Sequence, residues 1–121
     1  MKVNGELLSF QANGRGAGMG IPLTVYAGRI IQSPYLEQSF SISVPYKLTG
    51  NNLILTFNYH HYINGQSFDG NFTNGEISSR VITNKNTCVY IEFWGEISDG
   101  SQELVITEGK FSYTYEDPFD F

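Results

Sequence analysis

Six Asn-Gly and Asp-Gly dipeptides punctuate this 121-residue chain, at Asn4-Gly5, Asn13-Gly14, Asn64-Gly65, Asn74-Gly75, Asp69-Gly70 and Asp99-Gly100. The segments between them alternate apolar with polar residues. Such dipeptides supply the positive φ angles of tight hairpin turns, and period-two alternation marks a half-buried antiparallel strand. In 39–48, Phe40, Ile42, Val44, Tyr46 and Leu48 alternate with serines, Pro45 and Lys47. In 53–63, Leu53, Leu55, Phe57, Tyr59, His61 and Ile63 share one face. Ile77, Ser79 and Val81 do so in 76–83, and Phe111, Tyr113 and Tyr115 in 103–116. No segment holds a 3.6-residue period, and 33–38 is too short for more than one helical turn.

These runs predict about eight strands, at 3–12, 21–31, 38–48, 52–63, 66–72, 75–83, 87–98 and 102–116. Short connections favour an antiparallel meander, and a sheet of that size must curl or fold over to protect its edges. The expected fold is therefore all-β, a single domain over 1–121, either an up-and-down barrel or a two-sheet sandwich. Nine Phe, eight Tyr and one Trp in a chain that is 40% hydrophobic exclude disorder. Residues 116–121 read as a short acidic, aromatic tail, because Pro118 cannot donate to a ladder.

No run approaches the apolar length of a membrane-spanning helix, and residues 1–10 do not resemble a secretory signal. The expected location is the cytoplasm, with no membrane partner. The sequon at Asn71-Phe72-Thr73 would then go unused. Cys88, the one cysteine, forms no internal disulfide and no cysteine metal cluster.

Charge is divided unevenly. Residues 1–60 carry Lys2, Arg15, Arg29 and Lys47 against Glu6 and Glu37, a balance of +2. Residues 61–121 carry Arg80, Lys85 and Lys110 against ten carboxylates, a balance of −7. A face built from the second half repels phosphate backbones, so no nucleic-acid partner is expected.

Catalytic constellations are weak. Glu92 and Glu96 flank Trp94, but four strand residues span about 13 Å, too far for a glycosidase pair. His60 and His61 are adjacent, so on a strand they point to opposite faces and cannot chelate one ion. His61 is expected inside and His60 wet. Cys88 has no neighbouring cation to activate its thiol. Residues 13–20 (NGRGAGMG) lack the spacing of a phosphate-binding loop and predict a wide hairpin loop with Arg15 at its tip. The expectation is a non-enzyme with no cofactor and no metal.

What stands out is 88–97, where Val89, Ile91, Phe93 and Ile97 are uniformly apolar and should point inward. Tyr90, Glu92, Trp94 and Glu96 then point outward, and Trp and Tyr are favoured interface anchors. Arg15, Phe119 and Phe121 are further candidates for partner contact, although the tail equally suits folding back as a plug. The sequence therefore favours a small acidic inhibitor or immunity-type protein that neutralises a basic protein such as a toxin or nuclease. One alternative is a carbohydrate-binding module or lectin using the same aromatic face. Another is a barrel that binds or transforms a hydrophobic small molecule, with Tyr59, His61 and Tyr113 inside.

Overall fold

The computed structural model describes residues 1–18, 21–32, 35–63, 65–72, 77–100 and 102–121, and among them every regular element is a β-strand. β1 (Lys2–Val3) and β2 (Glu6–Leu7) form a hairpin about Asn4-Gly5, whose φ angles of 49° and 85° suit the tight turn that Asn-Gly favours. There follow β3 (Gln11–Gly18), β4 (Ile21–Gln32), β5 (Tyr35–Val44), β6 (Gly50–Asn51) and β7 (Thr56–Ile63). The chain continues through β8 (Gln66–Phe72), β9 (Ile77–Asn84), β10 (Cys88–Ser98) and β11 (Glu103–Thr114).

These strands make two antiparallel layers that share β10. One runs β6-β9-β10-β11-β1-β2 and the other β10-β8-β7-β5-β4-β3. The corner lies where Ser98 of β10 pairs with Asn71 of β8. Inner side chains then meet across the gap: Val25 of β4, Ile42 of β5 and Phe57 of β7 against Ile91 and Phe93 of β10 and Ile106 of β11, all fully buried. At the centre Phe57 stands 5.8 Å from Phe40 and 5.4 Å from Phe93, centroid to centroid. The result is an all-β, barrel-like sandwich. No helix among the described residues is long and apolar enough to cross a membrane.

Several boundaries differ from the sequence expectation. The expected strand 3–12 is instead the β1–β2 hairpin followed by the start of β3. The expected loop at 13–20 is overturned over 13–18, because Gln11–Gly18 is a strand paired with β4 from Gln11↔Gly28 to Gly18↔Ile21; Met19 and Gly20 lie outside the described residues. Arg15 therefore lies within a strand, not at a loop tip. β3 ends the strand order, where one ladder suffices; its extra residue at Asn13 falls beside a glycine that permits a bulge, and at the second shift Ala17 opposes two residues of β4, Pro22 and Leu23. β5 stops at Val44, before the donor-less Pro45, and Leu48 is exposed. Residues 52–55 leave the ladder before β7, so Ile54 is buried and Leu55 exposed, the reverse of simple alternation.

Asp69-Gly70 lies inside β8 and makes no turn. A Cβ at Gly70 would stand 2.3 Å from the Phe68 ring, so the glycine there provides space. Asn74-Gly75 and Glu76 lie outside the described residues.

β11 carries a bulge. Phe93 pairs with Gly109 and Gly95 with Ile106, so Thr107 and Glu108 together oppose Trp94. Glu108 takes a left-handed φ of 51°, and the Lys2 ammonium 3.0 Å away holds its carboxyl below the ordinary value. The extra residue switches the inward set from Leu104 and Ile106 to Phe111 and Tyr115. It also brings Gly109 under Phe93, where a Cβ would stand 2.5 Å from both the ring and the carbonyl oxygen. Gly109→Ala is accordingly expected to cost about 1–3 kcal/mol by overpacking. An unchanged urea midpoint would show that the two strands do not approach this closely.

Candidate functional site

Trp94 projects from the outer face of the β9-β10-β11 layer. Its lateral neighbours are Ser78 on β9 and the bulged Thr107–Glu108 pair on β11. The serine and threonine are short, and Trp94 is left 45% exposed. Val105, opposite Glu96, is 44% exposed, and Ile82 of β9 is also exposed. Tyr90 and Glu92 are half-buried and Glu96 is exposed. Glu92 is not an isolated acid: it pairs across the sheet with Arg80 on one side, at 4.0 Å, and Lys110 on the other. Negative charge instead gathers toward the β10–β11 turn, where Glu96, Asp99 and Glu103 are all exposed.

The tail folds back. The Arg15 guanidinium lies over the rings of Phe119 (4.0 Å) and Tyr115 (4.6 Å) and donates a hydrogen bond to the Asp117 carbonyl. The Phe119 N–H bonds the Asn86 carbonyl at 2.9 Å, and the Asn86 amide returns a bond to the Phe119 carbonyl at 3.0 Å. Tyr46 packs against Phe119 and Phe121, and its hydroxyl donates to the Phe121 carbonyl at 2.9 Å. Burial pushes the Tyr115 hydroxyl up to about 12. Arg15 and Phe119, both half-buried, thus make contacts within the chain that tie β3 to the end of β11, whereas Phe121 is exposed.

The histidines separate as the strand period requires. His61 faces inward, where Gln38 donates to the Tyr59 hydroxyl at 3.1 Å and that hydroxyl meets His61 Nδ1 at 3.3 Å. Desolvation, with the neighbouring His60 charge, lowers the His61 pKa below 6.5. The unfolded chain then binds the proton more readily, so stability is full above that value and falls as pH drops below it. His61→Gln, which keeps an acceptor but no proton site, is expected to flatten the fall in urea midpoint between about pH 7 and about pH 5. An unaltered profile would remove His61 from the titration.

His60 faces outward, with Nδ1 2.7 Å from Asp69 Oδ1. It lies on a groove that sequence reasoning missed, formed with Tyr26, Ser39, Ser41 and Asn58. The only signal was that these are the polar alternates of the strand runs, a pattern shared with any wet face. Among the described residues no cluster of three or more His, Cys, Asp or Glu is placed to hold a metal. Cys88 is half-buried beside the Thr87 hydroxyl. Tyr59 is fully buried, and the space between the layers is filled by the Phe40, Phe57 and Phe93 rings.

Comparison with family models, curated proteins and solved structures returned no significant match.

Proposed function

We propose that this chain is a non-enzymatic protein-binding domain, a small acidic inhibitor or immunity-type protein that neutralises a more basic partner through the Trp94 face. The observation that carries this reading is the exposure of the single Trp on a strand paired on both sides, with Val105 and Ile82 also exposed on the same layer. A desolvated aromatic ringed by polar groups is the usual anatomy of a binding hot spot. The overall charge of −5 attracts a basic partner at long range, and exposed charge of this kind is screened by salt.

The test is capture of partners on the immobilised chain from source lysate at low and high salt, with Trp94→Ala as the control surface. A basic protein retained at low salt, released by salt and lost with Trp94→Ala supports the proposal. Capture that Trp94→Ala leaves intact contradicts it, as does self-association through this face in sedimentation.

A further inference from the structure

The outer face of the opposite layer is hollowed into a groove of about 410 Å³. Its floor is built from two rows that run across adjacent strands in register. One row is Ser39 of β5, His60 of β7 and Asp69 of β8; the next is Tyr26 of β4, Ser41 and Asn58. A wet sheet face ordinarily carries long charged side chains, but here the middle strand presents serines, so the centre is low. Tyr26, 47% exposed, forms one wall, and the His60–Asp69 pair forms the other.

We propose that this groove binds a saccharide, a neutral polyhydroxylated ring with one C–H face. Sugar hydroxyls each donate and accept, and the lining offers both: two serine hydroxyls, the Asn58 amide, His60 Nε2 and the second oxygen of Asp69. The Tyr26 ring supplies the apolar wall on which the C–H face lies. Among the described residues no Lys or Arg lines the groove, which disfavours phosphorylated ligands, and apart from Tyr26 the outward side chains there are polar, which disfavours lipids. From β4 to β8 the face spans three strand spacings, about 14 Å, room for one or two sugar rings.

Ser39, His60 and Asp69 also stand in the order of a nucleophile, base and orienting acid. Ser39 is paired on both sides, with Gly28 and His60, so its own backbone amide is committed to the ladders rather than to an oxyanion. The proposed role of the site is binding. It lies on the layer opposite Trp94 and stands or falls independently of that face.

The experiment is an amide chemical-shift titration of the full chain with cellotriose, maltotriose, chitotriose, xylotriose and mannotriose. Each is added to about 10 mM, enough to load a site with a Kd of about 1 mM. At least one is expected to shift the amides of Ser39, Ser41, Asn58 and His60 selectively. Tyr26→Ala and Asn58→Ala should each weaken that binding at least about tenfold while the melting temperature holds, because both side chains are outward. Silence across the panel overturns the proposal. So do shifts that map to Tyr90 and Trp94, or binding that survives both substitutions.

Discussion

Phe57→Ala is expected to lose about 3–5 kcal/mol of folding stability, a large share of what a domain of this size possesses. Phe57 is 0% exposed and sits where the two layers meet, packed between Phe40 of its own layer and Phe93 of the other. Removing the ring takes away its transfer free energy and leaves a cavity that two rigid sheets cannot collapse around. Leu55, two residues earlier, supplies the contrast. It lies off the ladder and is 40% exposed, so Leu55→Ala should stay within about 0.5 kcal/mol. Urea melts of both variants check the register of β7: equal losses would show that the 52–55 segment continues the strand.

Trp94→Ala is expected to cost at least about 2 kcal/mol of partner binding, the level that marks a hot spot. The ring points away from the core, so its loss should leave the folding midpoint nearly unchanged. The charge pattern sharpens this expectation. Glu96→Lys should slow association, and the effect should shrink as salt rises, whereas Glu92→Lys should matter less because Arg80 and Lys110 already flank that carboxylate. Binding that follows the melting temperature rather than the residue would make Trp94 a structural side chain only.

The all-β class was legible in the sequence, because period-two runs are local signals; of the Asn-Gly dipeptides Asn4-Gly5 makes the expected turn, whereas Asn13-Gly14 lies inside β3. The inward positions of Phe57, Val44, Ile91 and Phe111 follow from the alternation alone. Where reading failed, the cause was nonlocal or lay in small residues. β3 has no apolar alternation to announce it, and its partner β4 supplies the pairing. The β11 bulge reverses the inward parity at Glu108, which no propensity marks. The fold of the tail onto Arg15 depends on residues 102 positions apart meeting. The outward direction of Trp94 was readable from its strand neighbours. The groove on the other layer was not, because its depth comes from serines aligned across β5 with taller side chains on β4, β7 and β8, a relation that only the register reveals.

Trp94 is the single tryptophan, so its fluorescence reports on one place without ambiguity. Acrylamide quenching should be read first on the chain alone and then on its complex with the captured partner. The expected result is red-shifted, readily quenched emission from the free chain, turning blue-shifted and protected in the complex. Emission that is shielded before any partner is added, or equally accessible before and after, would contradict a docking role for this face.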